Sequence, residues 1–213
     1  MLKFIFTTLL FVTSYFAFGQ TDAGSEFLDN IKRIVKDSNS HFYYPILLNK
    51  IKVKPDSITK DDLFYLYYGQ LVQPGHIRLS YSRNPEQGKF MKLRMENKCK
   101  KLIPLGYNIL ERDPVELTIL LHTNICLKAT GQSDIYFLEK RFNLLLKAIL
   151  STGDGLTEET AIRIANIEDD RVMKGILKFL GGKESLGTKD GKTFSIWTAN
   201  DGRQLFFEDL WTH

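Results

Sequence analysis

The densest cluster of side chains that could bind a ligand lies between Thr59 and Ser82. Aromatic side chains supply contact area and polar groups supply orientation, which is a common composition for small-ligand sites. A groove in this stretch would be lined by Tyr67, Tyr68, Gln70, Gln73, His76, Arg78 and Tyr81. In that interpretation His76 would be the general base of a hydrolase. The structural alternative is that the tyrosines hold the loop to a helical layer through buried hydroxyl groups, and that Arg78 caps a helix.

The sequence lacks the common catalytic and metal-binding motifs. It contains no GxSxG, no HExxH, no Walker loop and no GxGxxG. The four histidines are far apart in the sequence, and the acidic clusters at 154–159 and 168–170 do not have EF-hand spacing. We therefore expect no metal site and no cofactor, and we favour a non-enzymatic protein.

Two cysteines, Cys99 and Cys126, lie in segments that we predict to be helices packed in sequence order. A disulfide between them is one interpretation. Two separate buried thiols are the other, because free cysteine is among the most buried residue types. Neither has a second Cys or a His at ligand spacing, so zinc binding is not expected.

The N-terminus has the three parts of a secretory signal peptide. Lys3 gives a positive start, residues 4–18 are mostly apolar, and Ala17-Phe18-Gly19 has the small-x-small pattern of a cleavage site. A membrane anchor needs about 20 apolar residues, so we expect residues 1–19 to be removed. Cleavage near Gly19–Gln20 predicts export to the periplasm or the extracellular space, with no membrane span in the mature chain.

The composition is that of an ordinary globular protein. Hydrophobic residues make up 43% and charged residues 25%, and the net charge is +4. Loss of Lys3 with the signal peptide would lower that charge by one. This balance is too mild to indicate nucleic acid binding. The mature chain is long enough for one medium or two small domains of roughly 100–150 residues.

Residues 20–152 have the hydrophobic spacing of packed helices. Ser25 is a candidate cap for the first helix, and Pro45 suits the first turn of the second. Thr59 and Asp62 form an acidic version of the capping box at the start of the third. A basic helix then begins near Gly88, and we expect Pro104 to interrupt it.

The later part of this region predicts an antiparallel helical hairpin. One helix follows Asp113-Pro114, Gly131 ends it, and Ser133 or Asp134 caps its partner. The short turn and the Asp-Pro start resemble a tetratricopeptide repeat, of which we expect one or two degenerate units.

Residues 153–213 carry a different pattern. The spacing predicts a strand over 161–167, a helix over 169–180 and a further strand near Ser185. A β-hairpin over 193–211 follows, with an Asp-Gly turn. We predict a small antiparallel sheet with one helix, packed on the helical region, and hence an α+β fold.

Five passages resemble a family of exported Gram-negative bacterial proteins, domain-of-unknown-function family 4919. They are YYPILL, LYYGQLVQP, ERDPVELTILLHTNICLKATG, STGDGLTEETAIRI and QLFFEDLW. The resemblance spans about residues 40–211. It implies an exported protein with helices and a sheet, and it implies no catalytic residues.

These observations favour an exported, non-enzymatic module whose helical hairpins bind a protein or peptide partner of the bacterial envelope. The alternative is a small-ligand binder or hydrolase that uses the Tyr67–Tyr81 groove. A third hypothesis is an accessory factor that dimerises through the edge of its sheet. A deep pocket at His76 with a second ionisable group would favour the enzyme, and an exposed apolar and aromatic patch would favour the binding module.

Overall fold

A computed structural model of the chain describes residues 23–74, 85–132, 135–166, 168–179 and 181–210. This part of the chain contains eight α-helices and a four-stranded sheet. Seven of the helices precede the first strand, and the eighth lies between the first and second strands. The predicted α+β class is confirmed. The predicted signal peptide, at residues 1–19, lies outside the described residues.

Three helices begin the described chain: α1 (Ala23–Lys36), α2 (Tyr44–Val53) and α3 (Lys60–Gly69). Short 3-10 turns follow α2 and α3, at Pro55–Ser57 and Gln70–Val72. The predicted capping box of α3 is confirmed, because Thr59 Oγ1 accepts from the Asp62 N–H and Asp62 Oδ2 accepts from the Thr59 N–H. Lys50 Nζ also donates to Asp62 Oδ2 at 2.6 Å, which ties α2 to the start of α3.

The next two helices are α4 (Pro85–Met95) and α5 (Cys99–Arg112). The break expected at Pro104 is wrong, because α5 runs through it and the chain turns at Asn97 instead. Asn97 has φ 53°, and asparagine tolerates this left-handed conformation better than most residues. Pro104 is tolerated because the carbonyl left without an N–H partner belongs to Lys100, an exposed residue in the first turn.

Helices α6 (Leu117–Thr130) and α7 (Ile135–Leu150) form the predicted helical hairpin. Gly131 ends α6 with φ 67°, a conformation that costs glycine little. Asn124 Nδ2 donates to the Leu138 carbonyl at 3.1 Å and joins the two helices. The likeness to a tetratricopeptide repeat stays a prediction.

The sheet is built from β1 (Ile162–Ile164), β2 (Lys183–Lys189), β3 (Lys192–Thr198) and β4 (Gln204–Asp209), in the order β1-β4-β3-β2. Helix α8 (Asp169–Ile176) lies between β1 and β2 in the chain. The predicted hairpin of β3 and β4 is confirmed. Strand β3 pairs antiparallel with both β2 and β4. The expectation of a wholly antiparallel sheet is wrong, because β1 pairs parallel with β4. A crossover that contains a helix permits such a pair, whereas a tight turn does not.

One hydrophobic core extends from α1 to β4 and includes residues of both regions, such as Ile31, Leu66, Leu120 and Phe207. Helix α3 packs against α1, α2 and α7. Arg163 of β1 forms an ion pair with Glu208 of β4 at 2.9 Å, and its guanidinium lies 4.5 Å from the centre of the Phe27 ring of α1. The helices and the sheet therefore share a buried interface.

Candidate functional site

The two central tyrosines of α3 connect the helices to the sheet region. Tyr67 and Tyr68 are both completely buried. The Tyr67 hydroxyl donates to Asp169 Oδ2 at 2.5 Å and accepts from the Ala165 N–H at 2.9 Å. The Tyr68 hydroxyl donates to the Arg163 carbonyl at 2.9 Å. These contacts match the structural alternative for the tyrosines.

The predicted Tyr67–Tyr81 groove is not open at its first residues. Tyr67 and Tyr68 face the interior, because their rings fill the core and their hydroxyls bond to residues after 160. Gln70 is buried, and Gln73 is half-buried and donates to the Gly69 carbonyl. The other proposed lining residues, His76, Arg78 and Tyr81, lie outside the described residues. A site at His76 therefore stays a prediction.

Asp169 is an unusual interior carboxyl group. Its burial raises its pKa to about 7, and the negative charge of Asp113 acts in the same direction. Hydrogen bonds from Tyr67 and Asn166 oppose that rise. Burial also raises the pKa of Asp113, to about 6. This pair of carboxyl groups titrates near neutral pH, far above the ordinary range for aspartate.

A disulfide joins Cys99 at the start of α5 to Cys126 in α6, with the two Cα atoms 5.0 Å apart. This confirms the bridged interpretation over two separate thiols. The bond closes a loop that contains all of α5 and most of α6.

A groove that was not predicted from the sequence lies between α2, α5 and α7. It has a volume of about 620 Å³, and its main lining residues are Ile51, Tyr107, Leu110, Phe137, Leu138 and Arg141. We call it the Arg141 groove. A volume of this size lies within the usual range for ligand pockets, roughly 300–1,000 Å³.

The floor and walls of the Arg141 groove are mostly apolar. Ile51, Leu110 and Leu138 are buried beneath it. Phe137 is 42% exposed, and its ring packs edge-to-face against that of Tyr136, which is 61% exposed. Exposed aromatic pairs of this kind are frequent in binding surfaces.

The groove contains a cation, Arg141, that forms no ion pair with any carboxylate of the described residues. Arg141 is half-buried, and no carboxylate of the described residues lies within ion-pair distance of its guanidinium. Burial lowers the pKa of Arg141 to about 10, and Tyr107 opposes this change. Arg141 therefore remains cationic at neutral pH. The neighbouring Lys140 is engaged elsewhere, because its Nζ donates to the Asp56 carbonyl at 2.5 Å.

One signal in the sequence could have revealed this site. Arg141 follows Leu138 by three positions and precedes Leu145 by four, and both leucines are buried. A charged residue on the apolar stripe of a helix is uncommon, because charged side chains are rarely buried unless they are paired. The other two walls come from α2 and α5, and nothing in their local sequence places them beside α7.

A second groove, of about 570 Å³, lies where α4, α6 and α8 meet, and its lining includes Arg94, His122 and Arg171. Burial lowers the pKa of His122 to about 4, and the charge of Arg94 adds to that effect. His122 is therefore neutral at pH 7. Arg171 is already paired with Glu168 and Glu184.

The fold and the site define the class of protein: it is an α+β protein with a helical layer and a small mixed sheet. Its apolar groove contains a half-buried arginine. The family model of DUF4919, a domain of unknown function, matches residues 29–190. The chain belongs to this family. The match begins earlier than the expected residue 40 and ends before the closing strand. No curated protein and no solved structure matches the chain.

Within the described ranges, no helix is long and apolar enough to cross a membrane. The same residues contain no group of three or more His, Cys, Asp or Glu side chains that could hold a metal ion.

Proposed function

We propose that this protein is an exported, non-enzymatic binding module, and that it recognises a protein or peptide partner of the bacterial envelope through the Arg141 groove. The observation that carries the proposal is the combination of an apolar and aromatic groove with an arginine that has no carboxylate partner among the described residues. Exposed apolar patches and aromatic anchors are typical of binding surfaces.

Export is supported by the disulfide between Cys99 and Cys126. Disulfides persist in oxidising compartments such as the periplasm and are rare in the cytosol. If the chain is exported as proposed, N-terminal sequencing of the protein from a periplasmic or extracellular fraction will give Gln20 as the first residue. A full-length chain that begins at Met1 and stays in the cytosolic fraction would contradict export.

Binding rather than hydrolysis is supported by the residues at the groove. Its described lining residues include one carboxylate, Glu111, and no serine, cysteine or histidine. Acyl transfer and general acid–base catalysis need a nucleophile or an acid–base pair within hydrogen-bond reach.

Site-specific photo-crosslinking tests the binding module. Phe137 is replaced by a photo-reactive benzophenone analogue of phenylalanine, which keeps an aromatic ring in the groove. The control places the same analogue at Leu186 of β2, which is 70% exposed and distant in the chain. Illumination of intact cells should give discrete adducts from position 137 and none of the same mass from position 186. Identical adducts from both positions, or none from position 137, would overturn the proposal.

The second candidate is a small-ligand binder or hydrolase at the Tyr67–Tyr81 groove. The Tyr67–Asp169 contact cannot serve such a site, because both residues are fully buried, so this candidate depends on His76. A hydrolase of this kind would lose ester-hydrolysing activity in His76→Ala and keep it in the control His41→Ala. Equal rates in both variants and the wild type would exclude His76 as its base.

A further inference from the structure

We propose that the Arg141 groove binds an internal segment of a partner polypeptide in which one Asp or Glu side chain is flanked by apolar or aromatic side chains. This inference rests on the proposed function and names the ligand class for the same site.

The positive charge of Arg141 favours an anionic group in the ligand. A buried ionised group is costly unless it is paired or hydrogen-bonded, and Arg141 has no carboxylate partner among the described residues. The other two charged lining residues, Lys52 and Glu111, are exposed and of opposite sign. The charge that faces an occupant is therefore mainly that of Arg141.

A carboxylate suits this site better than a phosphate group. The planar guanidinium of arginine can bond both oxygens of a carboxylate at once. A phosphate carries close to two negative charges and is usually held by several cations or by helix N-termini. The exposed lining residues Lys52 and Glu111 are of opposite sign and supply no net positive charge for the second negative charge, and Lys140 already donates to the Asp56 carbonyl.

The groove walls also distinguish a side-chain carboxylate from a C-terminal one. Terminal carboxylates are typically captured by successive unpaired backbone N–H groups. Here most of the lining residues lie past the first turn of α2, α5 or α7, where N–H groups are engaged in helical hydrogen bonds, and Phe137 alone of the described lining residues lies in the first turn of α7. A side-chain carboxylate requires only the guanidinium.

The apolar surface around Arg141 determines the flanking residues of the ligand. Ile51, Leu110 and Leu138 form the floor, and Phe137 gives an aromatic wall. An occupant with apolar neighbours on both sides of its acid would cover these groups and exclude water from the ion pair. Removal of water lowers the local dielectric constant, and the energy of a charged contact varies inversely with that constant.

The test begins with two random peptide libraries selected against the full mature protein. The first displays internal segments with no free C-terminal carboxylate, and the second displays free C-termini. We expect the first library to enrich a single Asp or Glu between apolar residues, and this preference should vanish with Arg141→Gln. Arg141→Lys keeps the positive charge but loses the planar guanidinium that can bond both carboxylate oxygens, so it should retain part of the preference for an acidic residue. Arg33→Gln on the exposed face of α1 is the matched control and should select like the wild type.

The enriched peptide is then synthesised with its acid intact or replaced by the amide. Against the wild type, the amide should bind about tenfold or more weakly, as expected for loss of a charge-assisted contact. Against Arg141→Gln the two peptides should bind equally. A preserved acid preference in Arg141→Gln, an apolar preference without an acid, or a requirement for a free C-terminus would overturn this inference.

The outcomes also separate this inference from the proposed function. Peptides without an acid whose binding is lost in Phe137→Ser would keep the groove as a binding site and reject only the ligand class. Selection that is unaffected by both Phe137→Ser and Arg141→Gln would reject the groove itself. Thermal melting of each variant within a few degrees of the wild type shows that the readout is binding rather than folding.

Discussion

Asp169 shows how one residue can make the stability of this protein depend on pH. It lies at the first turn of α8, is fully buried, and accepts hydrogen bonds from Tyr67 and Asn166. One of its oxygens, Oδ1, is buried and has no hydrogen-bond partner among the described residues. Burial is the main reason that its pKa rises to about 7, because the ionised form loses its hydration.

The sign of the pH effect follows from that shift. An ordinary aspartate has a pKa of about 3.9, so between about pH 4 and pH 7 the folded protein binds a proton that the unfolded chain has released. The contribution of Asp169 to the free energy of unfolding should therefore be fully present below about pH 4 and should be lost as the pH rises towards 7.

Asp169→Asn should flatten this part of the stability profile. The amide stays neutral and can still accept from the Tyr67 hydroxyl, so the share of Asp169 in this loss, about 4 kcal/mol between about pH 4 and pH 8, should disappear, while the share of Asp113 remains. Urea denaturation at a series of pH values measures it. The control is Asp190→Asn in the exposed turn between β2 and β3, and an equal flattening there would contradict the assignment to Asp169.

At the scale of elements, the disulfide and a close helix crossing hold α5 against α6. Cys99 and Cys126 are joined at the start of α5 and in the second half of α6. Gly106 lies in the buried face of α5, where an added Cβ would overlap Thr123 Oγ1 and meet the Phe90 ring at 3.1 Å. The two helices approach closely because Gly106 has no side chain.

Removal of the disulfide should destabilise the protein by about 3–4 kcal/mol. The two cysteines are 27 residues apart in sequence, and a closed loop of that length restricts the unfolded chain by roughly this amount. Urea denaturation of the wild type with and without a reductant measures it. Because the chain has only two cysteines, the double variant Cys99→Ala/Cys126→Ala should be insensitive to reductant. A wild type whose midpoint is unchanged by reduction would contradict the estimate.

Two glycine substitutions should have opposite effects. Gly106→Ala should lose about 1–3 kcal/mol, because the new methyl group forces Thr123 and Phe90 apart. Gly175→Ala in α8 meets nothing within 4 Å and should gain about 0.5–1 kcal/mol from the lower entropy of the unfolded chain. Both changes carry the same helix-propensity gain, so their difference in thermal stability reports the packing at the α5 and α6 crossing. Equal shifts would show that the crossing is not tight.

At the scale of the whole molecule, the helices and the sheet share one core. Phe27 of α1 stacks beneath the Arg163 guanidinium of β1, and Tyr67 and Tyr68 of α3 bond to residues near β1 and α8. Residues from α1 through β4 belong to a single buried cluster. Separate unfolding of the two regions would expose the apolar side chains buried between them to water, at a cost of about 25 cal/mol per Å² of apolar surface.

We therefore expect one cooperative unfolding transition. Both tryptophans, Trp197 and Trp211, follow residue 153, so tryptophan fluorescence reports the sheet region. Most of the helical residues precede it, so far-ultraviolet circular dichroism reports the helices. The two signals should give the same midpoint in urea. A fluorescence transition that comes clearly before or after the loss of helix would show two independently stable regions.

The sequence alone determined the local elements of this protein. The capping box at Thr59, the glycine stop at Gly131 and the Asp-Gly turn before β4 act through neighbours a few residues away, and such signals are complete within a short segment. The α+β class followed from them. The break at Asn97 was missed because proline is the stronger general helix breaker, and only the exposure of Lys100 makes Pro104 acceptable in α5.

Only the tertiary structure decided which distant residues meet. The Tyr67 hydroxyl lies on Asp169, 102 positions away, and the choice between buried tyrosines and a ligand groove depended on that contact. The parallel pairing of β1 with β4 and the Arg141 groove likewise join segments that no local pattern connects. Hydrophobic spacing shows that a face is buried but not against what, because apolar burial is not directional. The partners of buried polar groups are fixed only once the core has packed.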